Sequence, residues 1–144
     1  MKTEKYEVIR EYYDNGKLYR EYYSIDDKIH NTNGPAYKHW YDNGKLKCEE
    51  YYIDGKYHNT NGPAYKHWYD NGQLYSEYYY INGKLHNSNG PAIKLWYDNG
   101  KLRCEEYYID NRELTKEEFD NRKNTCIDGK EVIIDGKKYK LTAV

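Results

Sequence analysis

Three side-chain types in this chain have the chemistry for metal binding, nucleophilic attack or phosphate contact, and each recurs at a fixed interval. His30, His58 and His86 lie 28 residues apart, and His39 and His67 repeat that interval. Imidazole is the commonest metal ligand, so two columns of His are a candidate metal site. Cys48 and Cys104 hold one repeat position, and a Cys beside a His can form an activated thiolate. Lys38, Lys66 and Lys94, with Arg10, form a basic row of the kind that follows phosphates.

The interval itself argues against this chemistry. HNTNGPAYKHWYDNG occurs at His30–Gly44 and again at His58–Gly72, with HNSNGPAIKLWYDNG at His86–Gly100. Such a period marks stacked units that bury their faces against their neighbours. Adjacent strands are ~4.8 Å apart, so equivalent His residues in successive units are separated by roughly 10–14 Å. One zinc ion needs its nitrogens ~2.0–2.1 Å from a shared centre. The Cys48 position is Arg20 and Ser76 in sister units, which reads as a surface site, not a redox or ligand position. The His39–Cys48 pair lacks a third catalytic group. We therefore expect no enzyme activity, no metal, no disulfide and no cofactor.

Leu, Ile, Val and Phe make up only about 15% of the chain, a level that in a highly charged sequence signals disorder. Here 23 basic and 24 acidic groups nearly cancel, and 21 Tyr with three Trp supply the missing apolar area. Tyr favours strands and can bury its ring while its hydroxyl reaches water. A thin, wet, aromatic core in a single domain is expected. A net charge of −1 gives no global field for polyanions. No stretch approaches the ~20 apolar residues of a membrane span, and the first residues lack a signal-peptide core. The expectation is a cytoplasmic protein, in a host cytoplasm if viral.

One unit reads as a hairpin with a shorter return. Ala36–Tyr41 and Lys45–Ile53 are joined through Asn43-Gly44, the strongest short hairpin signal, which demands positive φ at both residues of a type I′ turn. That register places Lys38 across from Glu49, with Arg10–Glu21, Lys66–Glu77 and Lys94–Glu105 as the sister pairs. Four opposite-charge pairs are worth ~0.2–1 kcal/mol each. The same rule sets Trp40 opposite Lys47, Trp68 opposite Tyr75 and Trp96 opposite Arg103. A second turn at Asp54-Gly55 leads into a short strand. The loop Asn59–Pro63 then returns the chain, its Pro at a strand start.

The string YDNGKLKCEEYYIDGKYH from Tyr41 to His58, followed by Gly62-Pro63-Ala64 and Trp68, resembles the MORN repeat in its variant form. With three extra residues before Gly-Pro, the closing loop is similar to the repeats of phage and large-DNA-virus proteins. The resemblance covers about residues 7 to 114. It implies an elongated β-meander and a non-enzymatic role as scaffold, phospholipid-associating module or antitoxin-type inhibitor. No catalytic residues transfer.

The fold expected is all-β: a repetitive antiparallel meander with a short C-terminal helix and hairpin as a cap. Residues 1–12 form an N-terminal half-repeat. Residues 13–114 form the repeats (13–40, 41–68, 69–96 and a partial 97–114), and residues 115–144 form the cap. Within it, Thr115-Lys116-Glu117-Glu118 is a capping box that starts a helix running to about Lys123, and Glu131–Ile134 with Lys137–Leu141 form a hairpin. Protein–protein interaction through the Tyr/Trp-rich faces is the leading function. The candidate binding residues are Tyr37, Trp40, Tyr65, Trp68, Trp96, Tyr51, Tyr79 and Tyr107. Val8, Ile9, Tyr12 and Tyr13 form an open strand edge for a partner or a second copy. The alternative is an anionic membrane surface met through Lys47, Lys56 and Arg103. Nucleic acid is not expected, because each Lys of the row faces a Glu, and no small-molecule substrate is expected.

Overall fold

The structure is a computed structural model that describes residues 6–125, 131–134 and 137–140. The chain divides into two compact units, Met1–Glu113 and Leu114–Val144. In the first, Tyr6–Tyr12 (β1), Leu18–Ile25 (β2), Tyr37–Trp40 (β4), Leu46–Glu50 (β5), Tyr65–Trp68 (β8), Leu74–Tyr78 (β9), Ile93–Trp96 (β12) and Leu102–Ile109 (β13) pair in chain order as one antiparallel sheet. Lys28–Ile29 (β3) pairs with β2, and Arg112–Leu114 (β14) follows β13. The chain is thus the expected all-β meander.

The charge register holds and extends further than the hairpins. Lys38 pairs with Glu49 within its hairpin and with Glu21 of the hairpin before it. Glu49 likewise meets Lys66, and Glu77 meets Lys94. Arg10, Glu21, Lys38, Glu49, Lys66, Glu77, Lys94 and Glu105 therefore form one row of alternating sign across eight strands. At its start, Arg10 Nε lies 2.6 Å from Glu21 Oε2.

The Trp rung is different from the expected one. Trp40 pairs with Leu46, Trp68 with Leu74 and Trp96 with Leu102, after a register shift in each hairpin. The turn sets the rung beside it, and a bulge at Lys47, between the Trp40–Leu46 and His39–Cys48 rungs, restores the register beyond. Only Gly44 of the Asn43-Gly44 pair has positive φ (86°). The Gly44 N–H donates to Tyr41 O, and the Tyr41 N–H donates to Lys45 O. This is the type I turn with a glycine bulge, not the two-residue type I′ loop, and it adds one residue to the returning strand. Asn43 Oδ1 accepts the Lys45 N–H at 2.9 Å, which explains why Asn fits without positive φ.

The type I′ loop occurs at the second turn instead. Asp54 (51°) and Gly55 (74°) both have positive φ, and Ile53 pairs with Lys56 across them. Tyr52–Ile53 (β6) with Lys56–Tyr57 (β7), and Tyr80–Ile81 (β10) with Lys84–Leu85 (β11), form separate small hairpins. These hairpins join from unit to unit. The Asn31 N–H donates to Tyr52 O and the Gly55 N–H to Ile29 O, and the next unit repeats both bonds with Asn59, Tyr80, Gly83 and Tyr57.

Where the chain re-enters the main sheet, Ala36, Ala64 and Ala92 are fully buried. Ala64 N–H donates to Tyr78 O, and its carbonyl accepts from Tyr51. The Gly-Pro-Ala close therefore places its smallest side chain where neighbouring strands crowd. The Cys48 position, expected at the surface, lies inside in the two middle units, where Cys48 is 6% exposed and Ser76 1%, and is half-buried at Arg20 and Cys104. It tolerates Cys and Ser because both are small. Arg20 fits only in the first unit, where its guanidinium reaches out to Glu11.

Strand β1 ends the sheet among the described residues. Val8 and Tyr12 are exposed, but the Tyr13 hydroxyl donates to Trp40 O. Arg10 and Glu11, the charged residues of this edge strand, are bonded to Glu21 and Arg20 of their own chain.

In the second unit, Lys116–Thr125 (α1) starts at the expected capping box. Thr115 Oγ1 accepts the Glu118 N–H, and Glu118 Oε2 accepts the Thr115 N–H. Glu131–Ile134 (β15) pairs with Lys137–Lys140 (β16); the expected turn residues Asp135 and Gly136 lie outside the described residues. Among the described residues, no helix is long and apolar enough to cross a membrane.

Candidate functional site

The strand bulge that follows each turn creates an aromatic surface that simple alternation does not foresee. It turns the residue after each Leu onto the Tyr at the hairpin tip. Tyr19 packs edge-on against Tyr13 at 4.9 Å and Tyr75 against Tyr69 at 5.1 Å. In the other two units, Lys47 lies over Tyr41 and Arg103 over Tyr97. The ring and the cations expected opposite Trp meet the turn Tyr instead. The Trp carbonyls are occupied too: the hydroxyls of Tyr13, Tyr41 and Tyr69 donate to Trp40 O, Trp68 O and Trp96 O of the next unit.

Aromatic contacts concentrate in the middle of the sheet. Tyr57 stacks on Tyr52 (4.3 Å) and on Tyr80 (5.0 Å). Tyr80 stacks on Tyr78, and Tyr65 stands edge-on to both Tyr57 and Tyr78. His67 continues the path from Tyr65 to Tyr75. Each such pair contributes about 0.5–1.5 kcal/mol beyond area burial. Tyr57, Tyr65, Tyr75, Ser76, Tyr78 and Tyr80 line a pocket of about 210 Å³. Ser76 Oγ, in its lining, has no hydrogen-bond partner. An unpaired buried hydroxyl costs about 1–3 kcal/mol.

The electrostatics of this cluster are negative. Glu50 accepts hydrogen bonds of 2.7 Å from both the Tyr52 and Tyr57 hydroxyls. Burial and then neighbouring groups, Glu50 among them, raise the phenols, Tyr65 to about 12 and Tyr57 further. Burial, reinforced by Glu50, pushes the Cys48 thiol up to about 12, so it is a poor nucleophile. His39 and His67 are held below the usual imidazole value by burial first and by Lys47 second. They are neutral at pH 7.

A second set of sites repeats with the units. Successive closing loops bound two polar grooves of about 610 and 580 Å³. Tyr51, His58 and Lys66 line the first; Tyr79, His86 and Lys94 line the second. The His column is consumed in holding this row. The Nδ1 atoms of His30, His58 and His86 lie 2.9–3.0 Å from Asp54, Asn82 and Asp110 of the following turn. Asn31 and its equivalents brace each loop through bonds to the second residue on and to the Pro carbonyl.

The eight residues expected to bind fall into separate places. Tyr65 belongs to the central pocket. Tyr37 stacks on Tyr22 at 6.4 Å in the preceding strand pair. Tyr51 and Tyr79 line the grooves. Tyr107 is buried, and Trp40, Trp68 and Trp96 are half-buried. Sequence reasoning missed Tyr57, Tyr75, Ser76, Tyr78 and Tyr80. The signal was present: these are positions where the units differ, as in Ile29, Tyr57 and Leu85, or Arg20, Cys48, Ser76 and Cys104.

The sheet is a stack of repeats that carries polar grooves and an aromatic pocket. The MORN repeat variant profile matches residues 8–26, 36–54, 64–85 and 93–110, more than half of the chain. The chain belongs to the MORN repeat family, whose repeats are generally protein- or membrane-binding modules. Comparisons with curated proteins and with solved structures found no match.

Proposed function

We propose that this protein is a non-enzymatic scaffold that binds another protein through the aromatic face of its sheet. The observation that carries this is the unbroken ring path from Tyr52 through Tyr57, Tyr80, Tyr78, Tyr65 and His67 to Tyr75 and Tyr69. Most of these rings are only half-buried. Tyr on a rigid sheet offers large contact area at low entropy cost, and Tyr is enriched at binding hot spots. The basic groups that would serve an anionic membrane are partly engaged: Lys47 over Tyr41 and Arg103 over Tyr97.

Affinity capture at low and high salt tests the proposal, with a Tyr65→Ser/Tyr80→Ser variant as control and vesicles of anionic lipid as a parallel arm. A partner retained at high salt and lost by the variant supports it. Binding to the vesicles that fades as salt rises, with no protein lost by the variant, overturns it.

A further inference from the structure

The central pocket is lined by residues that the repeat does not conserve from unit to unit. No other unit supplies the same set: the positions of Tyr57, Tyr75, Ser76 and Tyr78 are Ile29, Lys47, Cys48 and Glu50 in the unit before, and Leu85, Arg103, Cys104 and Glu106 in the unit after. Its rings form two walls. Tyr57, Tyr80 and Tyr78 are near-parallel to their neighbours, at 23° and 19°, and Tyr65 is almost perpendicular to Tyr57 and Tyr78, at 83° and 78°. Ring faces carry negative potential and attract cations.

The surrounding charges have the same sign. Glu50 holds the Tyr57 hydroxyl at 2.7 Å, and Glu106 acts on Tyr78 from the next unit. Lys47 is the basic group acting on His67, and it leans over Tyr41 rather than into the pocket lining. One polar group in the lining lacks a partner. Ser76, 1% exposed, has an Oγ that makes no hydrogen bond.

We propose that this pocket receives an arginine side chain of the partner protein, its guanidinium against the Tyr faces and one N–H donated to Ser76 Oγ. The assignment rests on the protein-binding reading given above. A guanidinium is planar, weakly hydrated and always charged, and it stacks on aromatic rings while donating in the ring plane. An ammonium keeps its water more tightly, and a neutral ring would leave Ser76 unpaired. The volume, about 210 Å³, suits one long side chain and not a folded segment.

The test uses the full chain and small probes, followed through the aromatic and backbone NMR signals. N-acetylarginine amide is compared with N-acetylcitrulline amide, which has the same shape without the charge, and with N-acetyltyrosine amide. The expected result is a saturable shift of the Ser76, Tyr57 and Tyr78 signals with the arginine probe, and binding at least about tenfold weaker with citrulline. Ser76→Ala should weaken the arginine probe by about tenfold, as for a hydrogen bond to a charged group, with unchanged dispersion elsewhere. Equal binding of citrulline, tighter binding of the tyrosine probe, or no shift with arginine would each overturn the assignment. They would do so even if the salt-resistant capture described above persists, and a positive arginine result stands even if that capture fails.

Discussion

The closing loops and the central pocket are built on the same repeat, yet they obey opposite rules. In the loop row each His is answered from the neighbouring unit at a constant offset: His30 to Asp54, His58 to Asn82, His86 to Asp110. The two grooves there are lined by equivalent residues. In the pocket the equivalents diverge, and Ser76 Oγ is left unanswered. Sameness in this molecule maintains stacking, and difference marks where a single ligand can be specified. A repeated surface offers avidity, but it has no unique register for a partner, whereas the pocket does.

The comparison breaks hardest at the row of closing alanines. Ala64→Leu adds three carbons where the side chain is fully buried and should cost about 2–3 kcal/mol by overpacking, lowering the urea midpoint of the whole sheet. Thr60→Ala, at an exposed loop tip, should stay within about 0.5 kcal/mol. Next in size, Tyr57→Ile installs the residue of the first unit. It removes the ring contacts to Tyr52, Tyr65 and Tyr80 and the bond to Glu50. A loss of about 2 kcal/mol is expected from the ring contacts alone, with arginine-probe binding abolished by NMR and the loop signals unmoved.

A smaller effect tests the row of alternating charge. Lys66→Glu sets a carboxylate between Glu49 and Glu77, and two like-charge cross-strand contacts should destabilise by about 1 kcal/mol. Adding Glu49→Lys should give no net recovery, because it repairs the contact with position 66 but sets a second lysine against Lys38. The smallest effect is on pH dependence. His39 and His67 have folded values below the unfolded one, so the native state binds fewer protons and stability falls as the medium is acidified from about pH 6.5. His39→Gln/His67→Gln should flatten urea midpoints measured between pH 7 and pH 5.

The repeat, the meander and the charge pairs were legible because they depend on spacing and sign alone. Lys38 opposite Glu49 needs only an even strand register above the turn. The Trp rung was not legible, because Asn-Gly is compatible with two turns. The choice between type I′ and a glycine bulge depends on whether Asn43 adopts positive φ, and it does not. That slippage, together with the strand bulge at Tyr75, carries Tyr75 from Trp68 to Tyr69 and His67, and so decides the composition of the pocket. The burial of Cys48 and Ser76 was misread for a related reason. Variation between units reads as tolerance at a surface, whereas three of the four residues, Cys48, Ser76 and Cys104, are small enough to sit inside.

The central claim is that partner contact is concentrated where the units differ. Hydroxyl-radical footprinting of the tyrosines, with and without the captured partner, tests it most directly. Protection of Tyr57, Tyr65, Tyr75, Tyr78 and Tyr80, with Tyr51 and Tyr79 of the loop grooves unchanged, is the result predicted. Equal protection of Tyr51 and Tyr79, or protection of those two alone, would contradict it and move the binding site to the repeated surface.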